Sequence, residues 1–146
     1  MAQMETRERY AHTIALDTRW MDNDGYGHLN NVVYYSLFDT AVNRWLVDRQ
    51  LLNITESPAI GLVVETGCRY LAPLSFPDRV TVGLRVAHLG TSSVRYELAI
   101  FRNDERTASA VGHFVHVYVD RRSRRPTPIP GDIRSALSTL QLTAEH

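Results

Sequence analysis

Residues 19–35 read RWMDNDGYGHLNNVVYY. Two carboxylates, two glycines, a histidine and three asparagines stand ahead of an apolar run. Gly25, Gly27 and the asparagines suffice to turn the chain, and a turn does not require so many other hydrogen-bonding side chains. Taken one at a time, Asp22, Asn23 and Tyr26 are turn and surface residues, and Asn30 or Asn31 caps the helix that follows. Taken together they permit chemistry. A carboxylate just before a helix sits beside unsatisfied backbone N–H groups and the positive end of the helix dipole. Those donors polarise a carbonyl and hold the oxyanion formed on attack. The carboxylate attacks directly or draws a proton from water. A thioester is an apt substrate, because its carbonyl is less resonance-stabilised than an ester's and its thiolate leaves readily.

Competing chemistries fail on residue type. The run Asp22-Asn23-Asp24-Gly25 begins like an EF-hand loop, but the fifth and twelfth positions are Tyr26 and Val33, which offer calcium no carboxylate. An Asp-x-Asp nucleotide-sugar site requires a nucleotide-binding α/β domain, and no strand–helix–strand repeat is present. His113 and His116 are three apart on a predicted strand and so point to opposite faces, unable to share an ion. No metal site is therefore expected. No G-x-S-x-G elbow occurs to support a serine hydrolase. Cys68 lies within an alternating strand pattern, where a buried thiol is inert.

The elements that must position the motif are legible in the hydrophobic pattern. Val32–Leu46 predicts a helix apolar around much of its girth. Tyr34, Phe38, Ala41, Val42, Trp45 and Leu46 form one wide stripe, and Ser36, Asp39, Thr40, Asn43 and Arg44 a narrower polar one. A strand is predicted before the motif, over residues 10–20, and four follow the helix at 59–71, 79–88, 93–101 and 109–119. In the first of these four, Ile60, Leu62, Val64, Thr66, Cys68 and Tyr70 are expected on one face, opposite Glu65 and Arg69. A short helix is expected over Asp132–Leu140. One long helix on a five-stranded antiparallel sheet is an α+β layer arrangement, with the other sheet face or the sheet edge left for a partner.

Residues 1–146 fit one domain. Sixteen basic residues balance sixteen acidic ones, so no bulk attraction to nucleic acid or anionic membrane is expected. The single cysteine, the polar start MAQMETRERY and the lack of a long apolar run predict a cytoplasmic chain with no membrane span.

The motif and its surroundings resemble the 4-hydroxybenzoyl-CoA thioesterase-like acyl-CoA thioesterases, which have the hotdog fold. The pattern D-x-D-x-x-G-H-x-N-N-x-x-Y is met by Asp22, Asp24, Gly27, His28, Asn30, Asn31 and Tyr34. The likeness continues through RYLAPLSFPDRVTVGLRVAHLGTSSVRYELAIF and HVYVDRRSRRPTPIP, nearly the whole chain. It implies a long central helix wrapped by a five-stranded antiparallel sheet, and hydrolysis of an acyl thioester to free acid and coenzyme A. It places the catalytic carboxylate at Asp24, as nucleophile or general base, with carbonyl-polarising amides near Asn31. Asp22 then supports the loop. His28 either touches substrate and orients Asp24 or fixes the loop by a hydrogen bond. Asn30 and Asn31 act first as cap and clamp. Asp39 is a second candidate acid, because another hotdog branch carries its carboxylate on the helix; otherwise it meets a subunit interface.

Ser92 and Ser93 match a position where the family contacts pantetheine or nucleotide. In the run Arg121, Arg122, Arg124, Arg125 the guanidiniums, Arg121 and Arg122 first, suit coenzyme A phosphates; otherwise the run is a solvated turn. No cofactor is expected, coenzyme A being part of the substrate, and an acyl-carrier-protein thioester is the other candidate. Hotdog sites lie between subunits, so a homodimer or homotetramer is expected. Two other functions fit the fold: a non-catalytic acyl-thioester-binding module, and an enoyl-thioester hydratase or dehydratase using Asp24 with His28.

Overall fold

The computed structural model describes residues 5–141. Its strands β1 (His12–Asp17), β2 (Ala59–Tyr70), β3 (Arg79–Leu89), β4 (Ser93–Arg102) and β5 (Ala110–Asp120) form one antiparallel sheet ordered β1-β3-β4-β5-β2. Helix α1 (Asn31–Asp48) lies across one face, and the short helix α2 (Gly131–Ser138) packs against β3. Every predicted element is present, and the architecture is the hotdog arrangement.

The helix forms where its apolar stripe meets the sheet. Tyr34, Leu37, Phe38, Ala41, Val42, Trp45 and Leu46 are buried, whereas Ser36, Asp39, Thr40 and Arg44 remain exposed. The larger of these side chains each stabilise the fold by about 1.5–3 kcal/mol. They close onto Val80, Val82 and Leu84 of β3, Val94, Tyr96, Leu98 and Ile100 of β4, and Phe114 and Tyr118 of β5. A side-chain carbon at Gly112 would come within 2.5 Å of the Phe38 ring and 2.6 Å of the Gly67 carbonyl, so the close approach of α1 to β5 depends on glycine there.

Strand β2 departs from the single alternation expected of it. Val63 pairs with His116 and Glu65 with Val115, leaving Val64 as an extra residue. Such a bulge reverses the phase of the strand. Directly opposed residues share a face, so Thr66, Cys68 and Tyr70 lie with Phe114, Gly112 and Ala110 on the helix side. Ile60 and Leu62 instead join Glu65 and Arg69 on the outer side, contrary to expectation. Because β2 is an edge strand, Leu62, Val63 and Val64 are 37%, 47% and 61% exposed, an apolar edge without a partner strand among the described residues.

The outer face is not wholly bare. Tyr10 packs there with Ala99, Phe101 and Val111, and Arg85 joins Glu97 at 2.8 Å and Glu5 at 3.3 Å. His113 bonds Glu65 at 2.8 Å on this face, while His116 is buried on the other, as their spacing required. Among the described residues no helix is long and apolar enough to cross a membrane.

Candidate active site

The loop from Arg19 to Asn30 is tied down residue by residue. Asp22 is buried, and its Oδ2 accepts the Arg19 N–H at 2.7 Å. Its Oδ1 accepts from the Arg19 guanidinium at 2.9 and 3.1 Å, and its carbonyl accepts the Asn30 N–H at 2.8 Å. With its carboxylate engaged by Arg19 and its backbone carbonyl by Asn30, Asp22 ties the two ends of the loop together. Asn23 Oδ1 accepts the Phe76 N–H at 2.9 Å, docking the loop on the segment between β2 and β3.

Asp24 is held differently. Its N–H donates to the His28 carbonyl at 2.7 Å, and its Oδ1 accepts the N–H groups of Tyr26 at 2.8 Å and His28 at 3.3 Å. Oδ2 takes no protein hydrogen bond among the described residues, and the residue is half-buried. The carboxylate is thus fixed in orientation with one oxygen unengaged. Gly27 lets the tight loop close: its φ of +82° is left-handed, its N–H donates to the Asp24 carbonyl at 3.2 Å, and its carbonyl accepts the Ser75 hydroxyl at 2.7 Å. The loop re-enters the core through buried Leu29, whose N–H meets the Leu74 carbonyl at 2.8 Å.

At the helix start, Asn30 is the cap: its Oδ1 accepts the Val32 N–H at 3.1 Å and its carbonyl the Val33 N–H at 2.9 Å. The Asn31 N–H has no acceptor among the described residues. Such an unsatisfied donor at a helix start is of the kind that can receive an anionic oxygen. The Asn31 carbonyl receives the Tyr70 hydroxyl at 3.4 Å, and the Tyr70 ring meets the buried Tyr34 edge-to-face at 4.8 Å. Tyr34, Tyr70 and His28, with Leu71, Ala72 and Pro73, line a cavity of about 320 Å³ beside the loop. His28 reaches Asp24 through its backbone N–H. Its exposed imidazole takes no hydrogen bond among the described residues.

The remaining candidates lie elsewhere. Asp39 is exposed on α1, about 12 Å along the axis from Asn31 at 1.5 Å per residue. Its carboxylate accepts from Asn43 Nδ2 at 3.1 Å and lines a different cavity. Ser92 and Ser93 sit at the β3–β4 turn, and Arg121 and Arg122 follow β5, all at the end of the sheet where α1 terminates. In one chain they are separated from Asp24 by roughly the 27 Å length of α1. The Arg121 guanidinium donates to the carbonyls of Asn53, Ile54 and Ser57, stapling that loop. Arg122 is exposed, and its backbone N–H, with that of Ser123, holds the Asp120 carboxyl below the usual range.

Two features escaped the sequence reading. Trp20 and Met21 stand on the loop at 77% and 74% exposure, beside the exposed Tyr26 that was expected at the surface; the apolar types of the first two suggested core, and only the loop geometry turns them outward. The second is the larger cavity, about 440 Å³, between the later turns of α1 and the start of β2. Cys68 is half-buried, and burial pushes its thiol up, away from reactivity. Among the described residues no three of His, Cys, Asp and Glu gather in a metal-binding group.

Residues 18–137 match the model of the thioesterase-like superfamily. The PA5185 protein of Pseudomonas aeruginosa is 54% identical and superposes with a TM-score of 0.94 over 97% of this chain and 99% of its own. A thioesterase from Thermus thermophilus, solved with coenzyme A and zinc, is 32% identical, with a TM-score of 0.75 over 90% of this chain and 95% of its own. A 1,4-dihydroxy-2-naphthoyl-CoA thioesterase from Synechocystis shares the fold at 19% identity, with a TM-score of 0.79 over 92% and 97% of the two chains. No curated protein matches the chain at a significant level.

Proposed function

Because this chain belongs to the thioesterase-like superfamily and is a thioester hydrolase of hotdog fold, we propose that it cleaves acyl-CoA thioesters to free acid and coenzyme A with Asp24 as the catalytic carboxylate. The observation that carries the reading is the pairing of an Asp24 carboxylate pinned through Oδ1 alone with an unclaimed Asn31 N–H at the start of α1. The N–H polarises the thioester carbonyl and receives its negative charge. Oδ2 either attacks the carbonyl carbon, giving a mixed anhydride that water cleaves, or takes a proton from an attacking water. In both routes one water is consumed, the C–S bond breaks and the thiolate leaves to be protonated. His28 contacts the substrate at the rim of the smaller cavity.

The working unit is a homodimer built on the β2 edge, whose exposed Leu62, Val63 and Val64 call for a partner strand. Two-fold antiparallel pairing of β2 with its copy sets the Tyr70 end of one strand beside the Ala59 end of the other. Asp24 of one protomer, near Tyr70, thereby faces the larger cavity of its partner, which Ala59, Ile60 and Gly61 help to line. The same operation carries Ser92, Ser93, Arg121 and Arg122 of the partner toward Asp24, where the exposed Arg122 is the freer phosphate donor.

Thiol release from a panel of acyl-CoA and acyl-carrier-protein thioesters tests the assignment. Asp24→Asn is expected to lower kcat by about 10²–10⁴-fold with the fold retained; full activity in that variant removes Asp24 from the mechanism. Single turnover in ¹⁸O-water separates the routes. Label in the Asp24 carboxylate establishes its attack, with water opening the anhydride at the Asp24 carbon, because a general base never acquires label.

A further inference from the structure

The larger cavity is apolar along most of its wall, through Leu46, Val47, Leu51, Leu52, Ala59 and Ile133. Its polar components are few: Asp39, Thr40 and Asn43 from α1, and His116 and Tyr118 from β5. His116 is anomalous among them. It is 3% exposed, its Nε2 is buried without a partner, and neither ring nitrogen makes a hydrogen bond among the described residues. The Tyr96 hydroxyl, whose ring stands 5.2 Å from the imidazole, is likewise buried and unpartnered. A buried polar group without a partner destabilises a fold, so an imidazole kept in this position calls for a reason. Gly61 supplies the other half of the observation. A Cβ there would lie 3.1 Å from His116 Nδ1, and Gly61 lines the same cavity, so the missing side chain leaves room above that nitrogen.

We infer that His116 is the specificity-determining residue of the acyl pocket, and that it anchors a hydroxyl carried by the acyl group through a hydrogen bond at Nδ1. This rests on the thioesterase reading for the source of the acyl group, and on geometry alone for the anchor. A hydroxyl both donates and accepts, so it pairs with Nδ1 in either tautomer of the neutral imidazole, while Nε2 stays buried. Burial lowers the His116 pKa to about 4, which keeps the ring uncharged. An acyl group ending in a carboxylate is disfavoured, because it would meet a neutral ring and the Asp39 carboxylate, with no cationic side chain on the wall. The cavity volume lies within the range of small-molecule pockets. Its aliphatic lining holds the stem of the acyl group and the imidazole reads its end.

The test compares kcat/KM for acyl-CoAs differing by one hydroxyl, hexanoyl against 6-hydroxyhexanoyl and octanoyl against 8-hydroxyoctanoyl. The wild-type chain is expected to prefer one hydroxylated member by about 10-fold or more, and His116→Leu to erase that preference. Gly61→Ala, which keeps the imidazole but fills the space over Nδ1, is expected to do the same and carries the test if His116→Leu fails to fold. A preference absent in the wild type, or unaltered in the variants, overturns the inference while leaving the thioesterase reading intact. A second measurement is independent of turnover. Imidazole ¹⁵N NMR is recorded with inert thioether analogues, in which a methylene separates the carbonyl from sulfur. The Nδ1 resonance is expected to move with the hydroxylated analogue and not with its parent; equal responses overturn the anchor. Should no thioester be cleaved while this resonance still responds selectively, the anchor stands and the catalytic reading fails.

Discussion

At the scale of single residues, the motif separates into side chains that hold and side chains that act. Asp22 and Asp24 are two residues apart and chemically identical, and composition alone could not rank them. Their hydrogen bonds do. Both oxygens of Asp22 are committed to Arg19, whereas Asp24 keeps Oδ2 unengaged. Asp22→Asn should therefore act on stability first. Removing a buried charge that accepts three hydrogen bonds is expected to cost about 1–3 kcal/mol, read as a lower urea midpoint, because one amide oxygen cannot replace both carboxylate oxygens. Asp24→Asn, at a half-buried position with two backbone donors still satisfied by the amide oxygen, should leave that midpoint within about 0.5 kcal/mol. A matched loss of stability in both variants would show that the two acids share one structural task. Arg121 carries the converse lesson. An arginine run reads as a phosphate site, yet this guanidinium is taken up by three carbonyls of the loop before β2, a long-range contact that no local pattern encodes.

At the scale of elements, the sequence was legible wherever one periodicity governed a whole segment. The stripe of α1, the alternation of β3 and β4 and the place of α2 are all where the hydrophobic pattern puts them. It failed where two phases meet. The apparent alternation from Ile60 to Tyr70 runs through a bulge at Val64, and an inserted residue is invisible to a count by twos when both halves are apolar. The site itself was half legible. The spacing of the motif marked the loop and the cap, because capping is local, but the cavities depend on which strands α1 crosses. The cap can be tested alone. Asn30→Ala removes the acceptor for the Val32 N–H, and a loss of about 1 kcal/mol is expected. Because the same residue helps to set the start of α1, kcat should fall further than this loss of folded protein explains. Stability measured by urea and kcat measured under folding conditions separate the two effects, and a fall in stability alone would detach the cap from the geometry of the Asn31 N–H.

At the scale of the whole molecule, the decisive question is which chain supplies each half of the site. Within one chain Asp24 stands at the start of α1 and the large cavity beside its later turns. Under β2 edge pairing, each site takes its carboxylate from one protomer and its acyl cavity from the other. Two defective variants can then repair one another. Asn43→Trp fills the cavity from the exposed side of α1, and Asp24→Asn removes the carboxylate, so each homodimer alone should be nearly inactive. In the mixed dimer one site receives both defects, and the other combines an intact Asp24 with an intact cavity. Random reassociation of equal amounts makes half the dimers mixed, each with one working site, so the mixture should recover about a quarter of wild-type activity for a two-fold assembly. Activity is measured after the two variants are unfolded together in denaturant, mixed and refolded, and light scattering establishes the oligomer. If carboxylate and cavity belong to the same chain, every chain in the mixture still carries one defect and no activity returns. If the chain is a monomer, mixing likewise restores nothing, and the exposed Leu62, Val63 and Val64 would need another explanation.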